Sequence, residues 1–156
     1  MKESVSMRGE YLIEIRRLDG ELIDTIRLHN KLMKINRDVR SQMLLGTYTG
    51  GNDALHIKYF AFGTGTAAAT ENDTRLTAEV YRKQITQIDS PSAGVVRSVV
   101  SLGALECNEH IREIGVFCGT ATAVANSGTM ISRILVDIEK NSNVTLNIVR
   151  SDVCTI

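Results

Sequence analysis

The sequence predicts a mainly β protein, an antiparallel β-sandwich carrying one amphipathic α-helix. Short runs rich in β-branched and aromatic residues recur along the chain, separated by polar turn signals. Only one segment keeps helical spacing over several turns. Hydrophobic residues make up 43% of the 156 residues and charged residues 23%, the balance of a chain that fills a core rather than staying disordered. That length suits one domain. Residues 1–156 are therefore read as a single domain with an N-terminal hairpin at 9–30, a helix at 31–45 and a sandwich core at 55–150.

Tyr11, Ile13 and Ile15 alternate with Leu12, Glu14 and Arg16, the period of a strand. Asp19-Gly20 tolerates the positive φ of a tight hairpin turn, and Leu22, Thr25, Ile26 and Leu28 keep the return strand half apolar. Asn30 is placed to cap a helix through its side-chain oxygen. Leu32, Ile35, Val39 and Met43 then form one helical stripe, and Gly46 suits the left-handed residue that ends a helix.

Residues 47–54 read as a loop, 55–62 as a strand and 63–75 as a small, polar connection, with a short helical turn near 76–80. Strands follow at about 80–89, 95–106, 111–118, 129–139 and 143–150. Their boundaries are Ser90-Pro91-Ser92, Cys107-Asn108, Gly119 with the Ala/Thr stretch behind it, and Asn141-Ser142-Asn143. The segment 119–129 is the most loop-like of all.

Lys and Arg total 18 against 18 Asp and Glu, a formal net charge of +0, which argues against coating nucleic acid or an anionic membrane and suits self-association. No apolar run reaches the roughly 20 residues of a membrane helix. The opening MKESVSMRGE has no apolar core, so no signal peptide is expected. Three sparse cysteines, Cys107, Cys118 and Cys154, are no disulfide framework and fit a reducing cytoplasm. Cys107, His110 and Cys118 fall short of the paired spacings of a structural zinc site, and Cys118 reads as a buried thiol.

Gly63-Thr64-Gly65 follows a strand, but Ala68 stands where a dinucleotide fingerprint needs its third glycine, so these glycines read as turn residues. No metal, cofactor or catalytic residue is expected, and the chain is not read as an enzyme. Arg16, Arg17, Arg27, Lys31, Lys34, Arg37 and Arg40 interleave with acids, which reads as a solvated, salt-bridged face.

One arrangement stands out in the middle of the chain. A strand ends in Phe62-Gly63-Thr64-Gly65, Asp73-Thr74-Arg75-Leu76 follows, and Glu79-Val80-Tyr81-Arg82 comes next. The acidic turn Glu106-Cys107-Asn108-Glu109-His110 then leads into Ile111-Arg112-Glu113-Ile114-Gly115-Val116-Phe117. With Leu28-His29-Asn30-Lys31-Leu32 before it and Met130-Ile131-Ser132-Arg133 after it, this order resembles small tail proteins of tailed bacteriophages and phage-like particles. Val116 replaces the usual Leu, and Cys107–His110 replaces a commoner Asn-Gly turn.

The resemblance implies a virion structural protein, assembled in the host cytoplasm and placed in the tail. It would be a baseplate, collar or fibre-attachment component. Its implied partners are further copies of itself, as a homotrimer or ring, and neighbouring tail, baseplate or fibre proteins, with no nucleic acid and no membrane. Alternatives are a host-surface carbohydrate-binding module, for which a chain with no Trp is poorly equipped, and a cytoplasmic β-sandwich ligand-binding domain.

If assembly is the function, the expected contacts are Lys34, Arg37, Arg40 and Ser41 on the helix, and Asp19 and Gly20 at the hairpin. Glu113 is the remaining interface candidate. In a strand beside Arg112 it is either solvent-facing or paired across a subunit boundary. Glu79 and Arg82 are close enough to pair if their segment is helical.

Overall fold

The computed structural model describes residues 6–51 and 53–155. The first five residues of the stretch read for a leader, and position 52 of the loop at 47–54, lie outside the described residues. Among those described, the elements run β1 (Ser6–Arg17), β2 (Leu22–His29), β3 (Lys31–Leu32), α1 (Lys34–Leu45), β4 (Ile57–Gly63), β5 (Glu79–Gln84), β6 (Gln87–Ser92), β7 (Val95–Leu102), β8 (His110–Cys118), β9 (Thr129–Glu139) and β10 (Val144–Thr155). The expected class, mainly β and antiparallel with one helix, is the one the chain adopts.

The strands form two five-stranded sheets, ordered β2-β1-β10-β7-β6 and β3-β9-β8-β4-β5. The chain correspondingly divides into two compact units. One holds the residues up to Asn30, Ile85–Asn108 and those from Lys140 onward; the other holds Lys31–Gln84 and Glu109–Glu139.

In the first unit β10 is central, paired with β1 from Ser6↔Thr155 to Arg17↔Val144. The alternation read in β1 decides the buried face: Tyr11 and Ile13 are inside, while Leu12 and Glu14 are partly exposed. Ile13 lies opposite Ile148, which lies opposite Val100, and all three are fully buried. Leu146 and Leu102 form the next buried row. Such cross-strand rows stabilise the sheet by excluding water between neighbours. Pro91 sits in β6, an edge strand, where its missing N–H leaves no ladder bond unmade.

The β1–β2 hairpin closes differently from a two-residue turn. Gly20 N–H donates to Arg17 O at 2.9 Å, and only Gly20 takes positive φ, at 91°. This is the longer loop in which a turn is followed by one left-handed glycine. The Asp19 carboxylate accepts the Glu21 N–H at 2.9 Å.

The helix is shorter than its spacing suggested. Lys31 and Leu32 are extended and pair with Arg133 and Ser132 of β9, and Met33 N–H continues the pairing to Ile131 O at 3.1 Å. The first helical residue is therefore Lys34, and Asn30 does not cap it. Met33 stands at the N-cap with no side-chain bond. The C-terminus follows expectation: Gly46 has φ 68°, its N–H reaches Met43 O, and Thr47 N–H reaches Gln42 O. The buried helix residues are Asn36 and Val39, not the whole expected stripe; Ile35 is 41% exposed and Met43 48%.

Other boundaries also shift. The single strand expected at 80–89 is two, β5 and β6, belonging to different sheets. β7 stops at Leu102, because Gly103–Asn108 is a loop whose carbonyls at Ala104 and side chain at Asn108 are gathered by the buried Lys140 ammonium. Burial lowers the pKa of that amine, against opposing pulls from Cys107 and Glu106. The thiols of Cys107 and Cys118 are buried, Cys154 is exposed, and no disulfide joins cysteines among the described residues.

The row Ile13–Ile148–Val100 predicts a large loss when it is hollowed. Ile148→Ala is expected to reduce stability by about 2–5 kcal/mol in chemical denaturation. A loss under about 1 kcal/mol would show that the row does not carry the first sheet's packing.

Candidate functional site

Most of the segments that carried the resemblance meet in the second unit, around Glu113; Leu28–Asn30 and Glu106–Asn108 belong to the first. β8 and β4 pair so that Glu113 lies opposite Gly63 and Gly115 opposite Ala61. Glu113 is fully buried, so both expectations for it are overturned: it faces neither solvent nor another subunit. Its Oε1 accepts the N–H groups of Ala78 at 2.8 Å and Gly65 at 3.2 Å, and its Oε2 accepts Thr77 N–H at 3.0 Å. The Arg133 guanidinium completes the set, with Nε at 2.9 Å and Nη2 at 2.8 Å. A carboxylate has about four acceptor sites, and these contacts fill them.

Thr77 and Ala78 therefore give their N–H groups to a carboxylate rather than to a helix. That is why the helical turn expected near 76–80 does not form.

The two glycines of Gly63-Thr64-Gly65 have a reason that turn chemistry does not supply, since neither takes positive φ. A Cβ on Gly63 would stand 2.5 Å from Glu113 Oε1 and 2.6 Å from Ala78 O. A Cβ on Gly65 would stand 2.5 Å from the same carboxylate oxygen. The glycines are where the carboxylate enters.

Arg133 is as fully used as its partner. Nη1 donates to Asp73 at 2.8 Å and Ala68 O at 3.3 Å; Nη2 donates to Ala67 O at 2.8 Å and Thr77 Oγ1 at 3.0 Å. Asp73 in turn accepts Thr70 N–H at 3.0 Å and Thr70 O–H at 2.7 Å. Partial burial works against ionisation of Asp73, but the Thr70 and Arg133 bonds outweigh it and hold its pKa below the ordinary 3.8.

A second ion pair lies on the same sheet face. Gly63 pairs with Glu79 and Phe62 with Tyr81, so Val80 is an extra, bulged residue. The bulge puts Glu79 on the face of Arg82, and the two pair at 2.6 Å within a strand, not a helix. Arg82 lies 4.4 Å over the Phe117 ring. Its Nη1 donates to Thr122 O, Ser127 O and Ser127 Oγ, while Glu79 accepts Asn126 N–H. The segment expected to be the most loop-like is thus pinned by named bonds. The same unit holds the apolar cluster of Met33, Ala61, Leu76, Phe117, Ala121 and Met130, which Arg82 meets at Phe117.

The remaining predicted residues lie elsewhere. Lys34 is exposed at the start of α1. Arg37 is exposed and reaches Asp38 at 3.2 Å, and Ser41 O–H donates to Arg37 O. Arg40 is half-buried, and its Nε donates to the buried Asn36 at 2.7 Å, so it belongs partly to the helix's own packing. Asp19 and Gly20 are exposed at the hairpin tip in the first unit. Arg133 is not among the residues expected at a site, although a lone cation in the apolar run Met130–Val136 is a signal for a buried partner. Leu44 and Leu45 are likewise not among the expected contacts, although three successive apolar residues, Met43 to Leu45, cannot share one helix face.

His110 is held between Asp137 and Glu139, with Arg112 at 3.3 Å, beside a recess of about 210 Å³ that Thr66 and Leu135 also line. Both carboxylates are well exposed, so solvent screens this pair strongly. Its hydrogen bond from His110 holds Asp137 below the ordinary carboxylate range. Among the described residues no group of His, Cys, Asp and Glu is arranged to hold a metal ion. Comparison of the chain with family models, with curated proteins and with solved structures finds no match.

Two expectations follow from this geometry. Glu113→Ala leaves the Arg133 charge buried and is expected to destabilise the chain by about 3–5 kcal/mol in denaturant titration; a loss under about 1 kcal/mol would rule out a buried pair. Asp73 stabilises the fold above its unfolded pKa, and that contribution is lost as the pH falls through the lower folded value. Between pH 7 and about 3, stability should therefore fall less steeply in Asp73→Asn than in the unmodified chain. Parallel curves would show that Asp73 carries none of the acid sensitivity.

Proposed function

We propose that this chain is a structural protein of a phage or phage-like tail, a baseplate, collar or fibre-attachment component. It acts by symmetric self-assembly, as a homotrimer or ring, and by docking neighbouring tail proteins. The observation that carries this reading is where the resembling segments go. Gly63, Gly65, Asp73, Glu79, Arg82, Glu113 and Arg133 are spent on two internal ion pairs and the loops these hold. Residues that build a fold, rather than a pocket for substrate, are what a scaffold protein needs in a fixed order.

The surface supports the same reading. Leu18, Leu44, Leu105 and Val124 are large apolar side chains left exposed on the single chain. Repeated contacts in an assembly give such side chains cover, and they are a liability on a monomer.

Mass spectrometry of density-purified particles from the source cells tests the proposal. The chain is expected at a fixed stoichiometric ratio to a tail-tube protein, and the ratio reports ring, trimer or single collar. Its absence from intact particles, with the chain present in the lysate, would remove the structural reading.

A further inference from the structure

We infer that the outward face of α1 docks an acidic, leucine-rich segment of a different protein in the assembly, an inference that deepens, and rests on, the tail reading above. At roughly 100° per residue, Lys34, Arg37, Ser41, Leu44 and Leu45 fall on one side of the helix. Asn36 and Val39 are buried on the other. Leu44 is 91% exposed and Leu45 75%. The stripe is therefore basic in its first half and apolar in its second.

The sign of the partner follows from what the cations lack. Arg37 reaches Asp38 through Nε, and its terminal nitrogens have no partner among the described residues. The Lys34 ammonium has none either; Glu71 meets Lys34 only through its backbone carbonyl, which accepts the Lys34 N–H at 2.8 Å. The first turn holds no acidic residue and the N-cap makes no side-chain bond. Lys34 and Arg37 thus sit near the helix end where the backbone dipole favours negative charge. Carboxylates beside them would answer both the side chains and the dipole.

A second copy of α1 does not supply them. Crossed about a two-fold axis, a helix of the same sequence sets Arg37 near its own counterpart, or sets the basic half against the leucine end. The complement is a segment with carboxylates opposite Lys34 and Arg37 and apolar side chains opposite Leu44 and Leu45. Charge then sets the direction of docking and the leucines supply the water-excluded contact.

The test uses the full chain and two synthetic amphipathic peptides that differ only in sign, one of leucine and glutamate, one of leucine and lysine. Binding is followed by backbone amide NMR shifts. The glutamate peptide is expected to bind, with shifts centred on Lys34–Leu45, weakening as salt rises. Arg37→Glu should weaken it about tenfold or more, and Leu44→Ser with Leu45→Ser should abolish it while circular dichroism stays unchanged. Equal binding of both peptides, binding of neither, or light scattering that shows self-association lost with the two leucines would overturn the inference. Particles that contain the chain, with no peptide binding, would sink this docking and spare the tail reading. Binding by a chain absent from particles would do the reverse.

Discussion

The Glu113–Arg133 pair is fully inside its unit, where an ion left without partners costs several kcal/mol. Both ions must therefore be satisfied at once, and the satisfaction is spread over chain segments far apart in sequence. The carboxylate draws in Gly65, Thr77 and Ala78; the guanidinium draws in Ala67, Ala68 and Asp73. None of these loop residues can move far without stranding a buried charge. The pair thus acts as a fixed point for β8, β9 and the connection between β4 and β5. It also dictates composition, since only glycine admits the carboxylate at 63 and 65.

The Glu79–Arg82 pair repeats the device on the same sheet face for the loop at 121–128. It depends on the bulge at Val80 to bring two residues three apart onto one side of a strand. The second unit is therefore a sheet with a small apolar cluster whose long loops are fastened by ions. The first unit combines rows of apolar side chains such as Ile13, Ile148 and Val100 with the buried cations Lys140 and Arg150, the latter paired with Asp152 at 2.6 Å. α1 is held by few buried residues and presents the exposed cations Lys34 and Arg37 and the bare leucines Leu44 and Leu45. That contrast places the rigid chemistry inside and the adhesive chemistry on the helix.

Local signals were readable where one residue's neighbours decide its state. Tyr11 and Ile13 alternate into the core, Gly46 ends the helix, and most strands lie near their expected places because turn residues bound them. What a single chain hides is a partner far along it. Glu113 looked like a surface acid because its balancing cation is twenty residues on, across a strand pair. Gly63 and Gly65 looked like turn residues because the atom that excludes their Cβ belongs to β8. The helix stripe failed for a related reason: Leu32 was claimed by β9, and Asn36, a polar residue, took a buried place beside Arg40. The single strand expected at 80–89 shows no break in its polarity where the chain leaves one sheet for the other.

Amide hydrogen exchange at Gly65, Thr77 and Ala78 reads the central interaction most directly. These residues lie outside the strands, so their protection has no sheet ladder to explain it. Exchange is expected to be as slow as in the core of β8, with all three amides losing protection together in Glu113→Gln. Fast exchange at these amides in the unmodified chain, or protection that survives the substitution, would contradict the claim that one buried carboxylate holds this part of the fold.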